Sequence, residues 1–373
     1  MRYTDNYLDS LRNEGDPVPD QIIRELALTN QIEAVNATLR TLTQNNQHVP
    51  ESLPDNLEFW LRDTVRLPAG ADTARLDRAS AFFVEHGVTM SLLLSTASFV
   101  EGYAAQKGVK ALSFTYRLEQ GPYRRVAETA QFLLLVLSPG GLYDHGQGVA
   151  AIEKVRLMHS AIRYLIAQSG RWPQAELGSP ICQEDLLGTL MCLSYVVIEN
   201  MRKLDIVVSA DEAEDYLYLW RVAGEMLGCR AGAIPQNMAE ARDLTAAIRR
   251  RQHGPSPEGI AMTRALLEMH AELIPGELFD GIVPALMRYL VGEQMAGWLE
   301  IPTTRWDGLM HTGDALARVL DAMDRKTGPL ADVVDKLGMA FLSRQAIALA
   351  GYERAAFEIP TALQTAWHIT PDD

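Results

Sequence analysis

Apolar residues recur at spacings of three and four along nearly the whole chain, and strict apolar–polar alternation over five or more residues is hard to find. That periodicity gathers apolar side chains on one face of a helix and leaves no pattern for a half-buried strand. The expected fold class is therefore all-α. Breakers punctuate the pattern: Ser138-Pro-Gly-Gly141 and Ser169-Gly-Arg-Trp-Pro173 end helices, and Gly254-Pro-Ser-Pro257 separates two more. Ser209-Ala-Asp-Glu212 reads as a capping box that opens a helix closing near Gly228.

No repeat with a period of roughly 20–50 residues is visible, nor any low-complexity tract or long flexible linker. The expectation is one compact unit with three stretches. Residues 1–70, more polar around Gln44-Asn-Asn-Gln47, form a helical arm; 71–302 form the core; 303–373 form a helical C-terminal extension.

The balance of 34 Lys+Arg against 48 Asp+Glu, a net charge of −14, argues against a nucleic-acid partner, which needs clustered basic residues. Cys182, Cys192 and Cys229 form no C-x-x-C pair, which excludes a cysteine-rich zinc site or a disulfide scaffold and fits a reducing compartment. The start, Met1-Arg-Tyr-Thr-Asp-Asn-Tyr, lacks the apolar stretch of a signal peptide. The longest uninterrupted apolar runs, such as Phe132 to Leu137, fall well short of the ~18 residues of a membrane span. A cytoplasmic location is expected.

Two helices carry candidate chemistry. In the segment 149–168, Ile152, Val155, His159, Ile162 and Ile166 follow a 3, 4, 3, 4 spacing, so His159 sits in the middle of an apolar stripe. At 100° per residue, Arg156 and Arg163 lie ~60° and ~40° from it on the same side. An imidazole in an apolar wall with two guanidinium groups beside it suits a haem iron ligand, with Arg156 and Arg163 pairing the propionates. The same spacing equally fits a buried histidine bonded to a backbone carbonyl. In the preceding helix, 123–137, Arg125, Thr129, Phe132 and Val136 share a face, with Glu128 beside it. Glu128 is placed either to pair with Arg125 or to act as a base, and a purely structural Arg–Glu pair meets the same spacing. His145 reads as a solvated loop residue, and His253, His270 and His311 make no metal-ligand spacing. No phosphate-binding glycine loop and no G-x-S-x-G elbow appears.

The ordered set Phe82-Phe-Val-Glu-His-Gly87, Thr115-Tyr-Arg-Leu118, Arg125-Val-Ala-Glu-Thr129 and Val155-Arg-Leu-Met-His-Ser-Ala-Ile-Arg163 resembles the haem oxygenase family of the latex clearing protein (rubber oxygenase) and the fungal MpaB-type oxygenases. Gln183-Glu-Asp-Leu-Leu187, Tyr218-Leu-Trp-Arg221 and Pro284-Ala-Leu-Met-Arg-Tyr-Leu290 extend the likeness over roughly residues 75–302. The resemblance implies a globin-like helical core holding haem b, with His159 as proximal iron ligand and Arg125 and Thr129 on the opposite side, where they hydrogen-bond dioxygen or orient substrate. It also implies an oxygenase that uses dioxygen on an apolar, unsaturated, isoprenoid-like small molecule. One departure is plain. Where the latex clearing protein has a lysine before the threonine, this chain has Glu128, so no lysine there can approach the iron. With no export signal in view, a small molecule is expected as substrate in place of an extracellular polymer. Two other readings fit the same residues: a non-catalytic globin-like haem protein that senses oxygen or redox state, and a haem-free helical interaction protein.

Overall fold

The helix boundaries follow local chemistry. Ser209 caps the helix Ala210–Met226: its Oγ accepts from the Glu212 amide, and Glu212 Oε2 accepts from the Ser209 amide at 2.8 Å. Both orphan N–H groups are thereby satisfied, as the S-x-x-E spacing predicts. Gly228, at φ +84°, lies just past the end of that helix, where a left-handed residue stops it.

The computed structural model describes residues 2–115, 121–273, 281–311 and Ile359; at 115, 121–127, 273, 309 and 311 it describes the backbone alone. In order, the helices are α1 (Asp5–Arg12), α2 (Pro17–Leu28), α3 (Ile32–Leu39), α4 (Asp55–Thr64) and α5 (Thr73–Leu93). A π-helical segment, Leu94–Ser98, joins α5 to α6 (Phe99–Ala104). There follow α7 (Gly108–Thr115), α8 (Gly121–Leu137), α9 (Gly148–Gln168), α10 (Gln174–Leu177), α11 (Gln183–Leu193) and α12 (Tyr195–Lys203). The last are α13 (Ala210–Met226), α14 (Met238–Gln252), α15 (Pro257–Leu273), α16 (Ile282–Val291), α17 (Glu293–Trp298) and α18 (Asp307–His311). The fold is all-α. Among the described residues there is no strand, only an isolated antiparallel bridge between Ala105 and His253. Of the extension expected over 303–373, the described residues are 303–311 and Ile359, which packs in the N-terminal cluster and exchanges two hydrogen bonds with Asn36.

The main core gathers α5, the π segment, α8, α11, α12, α13 and α16, with Phe82, Tyr216 and Trp220 among its largest side chains. The continuous helix Thr73–Ala104, 32 residues, holds an 18-residue window with a mean hydropathy of 1.2, long and apolar enough to cross a membrane, but 67% of that window is buried within the protein. Counting uninterrupted apolar runs missed it, because scattered polar residues break the runs without breaking the helix.

A second cluster joins α2, α3 and α4 to one side of α9 through Ile22, Ile23, Leu26, Leu157 and Ala161. Here Asn45 has a special position. Its side chain donates to the Gly141 and Tyr143 carbonyls at 2.8 and 2.7 Å, and its Oδ1 accepts from the Val149 and Ala150 amides at 2.9 and 3.1 Å. With Gly148 N–H on Gly141 O, the first three amides of α9 are satisfied ahead of its first intrahelical bond, Ala151 N–H on the Gln147 carbonyl. The turn from α8 to α9 is tight: a Cβ at Gly148 would stand 2.6 Å from the Leu135 carbonyl oxygen, and one at Gly141 2.2 Å from it. Asn45→Ala strands the buried Val149 and Ala150 amides, while the Gly141 and Tyr143 carbonyls keep the Gly148 and Gly146 N–H groups. We expect it to cost about 2–3 kcal/mol, read from urea denaturation; a loss under about 0.5 kcal/mol would show that water replaces the amide.

Candidate active site

Helices α8 and α9 pack side by side and share a large cavity with α6, α7, α11, α14 and α15. Its volume is about 350 Å³, within the ~300–1,000 Å³ usual for ligand sites. From α8 come Glu128, Thr129 and Phe132; from α9 come Val155, Met158, His159 and Ile162. Facing walls add Phe99, Tyr103, Leu190 and Met262. His159, Thr129 and Glu128 are thus brought to one mostly apolar cavity. Arg125 lies on α8, but its side chain, and with it any Arg125–Glu128 pair, lies outside the described residues.

The α9 stripe is as its spacing predicts. Ile152 and Ile166 are fully buried, Ile162 nearly so, and His159 is half-buried between them. The arginines are different. Arg156 donates to both oxygens of Asp16, at 2.5 and 3.0 Å, and lies over the Trp60 ring. Arg163 donates to Asp20 Oδ1 at 2.8 Å, to the Ile181 carbonyl at 3.1 Å and to Ser160 Oγ at 2.7 Å. Neither lines the cavity. Arg156 and Arg163, expected to pair haem propionates, are thus engaged by Asp16 and Asp20 in this structure. Two aspartates four residues apart at the start of α2 match two arginines seven residues apart on α9, and a buried guanidinium takes the carboxylate that is nearest.

Other residues reach the cavity unannounced by the sequence. Ser98 and Phe99 are turned into it where the π segment adds a residue to the turn. Glu101 and Glu184, 4% and 1% exposed, line it as members of ion-pair networks: Arg249 holds Glu101 at 2.7 and 2.8 Å, while Arg12 and Arg251 hold Glu184 at 2.9 and 3.0 Å. His253, set aside for want of ligand spacing, also lines the cavity, and burial lowers its pKa so that its imidazole stays neutral. Cys229 lines it as a thiol that burial pushes up to about 12, and is inert as a nucleophile at neutral pH. His86 packs on the Phe82 ring, 4.8 Å between centroids, and His145 occupies a left-handed loop position at φ +68°; neither reaches the cavity.

Among the described residues no three His, Cys, Asp or Glu side chains converge to hold a bare metal ion. With His159 and His253 as its imidazoles, the cavity suits a metal that brings its other ligands with it, as the iron of a porphyrin does.

Comparison with known proteins agrees with this architecture. Residues 76–322 match the family described as ER-bound oxygenase mpaB/B'/rubber oxygenase, catalytic domain. The rubber oxygenase of Streptomyces sp. (strain K30) is 29% identical over 358 residues, covering 93% of this chain and 84% of that protein. The solved structure of latex clearing protein LCP in the closed state superimposes with a TM-score of 0.79 at 25% identity, covering 89% of this chain and 91% of that one. Shared over most of both lengths, this likeness makes the chain a member of the mpaB/rubber oxygenase family and its activity that of an oxygenase, an oxidoreductase.

Proposed function

We propose that the protein is a haem b-dependent oxygenase that uses dioxygen to oxidise an apolar, unsaturated, isoprenoid-like small molecule. The observation that carries this reading is the convergence of His159 from α9 and Thr129 from α8 on one largely apolar cavity. His159 Nε2 would hold the iron. Haem, when bound, supplies the activation of dioxygen. The Thr129 hydroxyl would donate a hydrogen bond to the reacting oxygen, together with Arg125 one turn earlier on the same helix. Phe132, Phe99, Leu190 and Met262 hold the hydrocarbon and exclude water. Glu128, next to Thr129, is assigned as the counter-ion of Arg125, three residues earlier on α8, since a guanidinium in an apolar site would need one. The rubber named for the relatives is an apolar isoprenoid, which agrees with these walls.

Purified protein is expected to show a Soret band at one haem per chain and to consume oxygen with unsaturated isoprenoids but not with their saturated analogues. Protein without a Soret band, before and after incubation with haemin, would overturn the reading. Thr129→Val keeps the shape and removes the donor. It should retain haem and lose turnover by roughly 10²-fold, the usual cost of one donor aimed at developing charge. Equal turnover in the variant would remove Thr129 from the chemistry.

A further inference from the structure

Among the described residues three glycines line the cavity: Gly102 on α6, Gly108 at the start of α7 and Gly188 on α11. Neighbours stand close to two of them. A Cβ at Gly108 would lie 3.0 Å from Asp185 Oδ1, and one at Gly188 would rest on the Ile248 side chain at 3.7 Å. A Cβ at Gly102 would meet nothing within 4 Å, and Gly102 has no left-handed φ. It lies inside the helix, two residues before the last, Ala104. A glycine inside a helix lowers its stability relative to alanine, and neither backbone conformation nor a crowded neighbour asks for one here. What the missing side chain leaves is room.

Helix geometry gives the direction of that room. Val100 and Ala104, fully buried in the main core, are the residues of α6 that do not line the cavity, and each lies ~160° from Gly102 around the helix. Ser98, Phe99, Glu101, Tyr103 and Ala105 do line it and fall within ~100° of Gly102, on both sides. Gly102 is thus near the middle of the arc that α6 turns to the cavity. On the neighbouring helix α11, Thr189 is the most exposed residue although it lies mid-helix, and it too lines the cavity. Both helices therefore border open space. α6 packs chiefly on α15, α7 and α11, while His159 and Thr129 stand on α9 and α8, so this recess lies away from the reacting end. Phe99, Leu112, Leu190 and Met262 give it apolar walls, which suit a hydrocarbon. We propose that Gly102 is a specificity-determining residue: it keeps open the recess that takes the substrate's chain beyond the reacting double bond, so that the protein favours long isoprenoids over short ones. This rests on the oxygenase reading for the reaction, but the binding preference stands apart from it.

The test is equilibrium binding to the purified protein under anaerobic conditions by titration calorimetry. The probes are linear isoprenoid alcohols of two, three and four isoprene units, which share one polar end and differ only in chain length. Wild-type affinity is expected to rise about tenfold or more with each added unit, as five more carbons are buried. Gly102→Leu places a side chain in the recess and a better helix former in α6. In that variant the rise should fall to about twofold or less per unit, with haem content and melting temperature unchanged. Gly102→Ala, which adds a single carbon, serves if Gly102→Leu fails to fold, and its rise should lie between the two. The same rise in variant and wild type overturns the proposal, and so does a wild type whose affinity does not grow with length. Loss of haem from Gly102→Leu also overturns it, by assigning the recess to the cofactor. Failure of both variants to fold would do the same, since the space before Gly102 would then be filled. Because the length dependence is read without turnover, a protein that consumes no oxygen would sink the oxygenase reading and leave this one to its own result.

Discussion

His159→Ala is expected to yield folded protein with less than about a tenth of the wild-type haem and no measurable oxygen uptake. The argument runs from the helix outward. His159 occupies the centre of the α9 stripe, with Val155 and Ile162 beside it on the cavity wall and the side towards α2 taken up by Arg156 and Arg163 in their aspartate pairs. No other histidine of α9 exists, and the neutral His253 stands on the far wall beside the ion-pair networks of α14. Removal of the imidazole therefore takes away the one nitrogen that α9 offers to an iron. Fold should survive, because truncating a half-buried side chain at a cavity leaves the packed faces of α9 intact, and the change in stability should stay within about 1 kcal/mol. Added imidazole is expected to restore haem binding in part by taking the place of the missing ring. Full haem occupancy with an unchanged Soret band in the variant would move the ligand elsewhere, and His253 would be the next to test.

What the sequence makes legible follows the range of the physics involved. The helices, the capping box at Ser209 and the stops after α8 and α9 depend on neighbours within four residues, and all are readable from spacing. The stripe that places His159 on the cavity is equally local. The partners of Arg156 and Arg163 are not, since Asp16 and Asp20 lie about 140 residues away and nothing near the arginines announces them. The same holds for Asn45, which reads as one polar residue in a polar arm and proves to cap α9 from outside. His253 was missed because a search for ligand spacing asks which residues share a helix face. Its place is set by the bridge to Ala105, a contact across the fold. The π segment is invisible for another reason. One extra residue in a turn leaves composition unchanged and shifts the face of everything after it, so that Ser98 and Phe99 reach the cavity.

The second large effect concerns Glu153, on the side of α9 that faces α4. Its side chain is 1% exposed, and burial pushes its pKa from 4.5 up to about 8, against the opposing pull of Arg156 and a hydrogen bond with Thr64. Arg156 helps little: its nearest approach to Glu153 is 4.0 Å, while Asp16 takes its guanidinium at 2.5 Å. The sign follows from proton counting. Between pH 4.5 and about 8 the folded protein keeps the proton on Glu153 while the unfolded chain has released it. The native state then binds more protons, so unfolding becomes easier as pH rises through that window. The full penalty above pH 8 is on the order of 5 kcal/mol, from ~1.4 kcal/mol per unit. Glu153→Gln keeps the shape and the bond to Thr64 but carries no proton to lose. We expect the variant to match the wild type near pH 4 and to exceed it progressively up to pH 8, read from urea midpoints at each pH. The difference between the two proteins isolates Glu153 from every other titrating group, because all the rest are common to both. Parallel stability curves would mean that Glu153 is ionised throughout and that Arg156 serves it after all. The consequence reaches the site, since α9 carries His159: alkaline pH should loosen haem in the wild type before the global transition, and should not do so in Glu153→Gln.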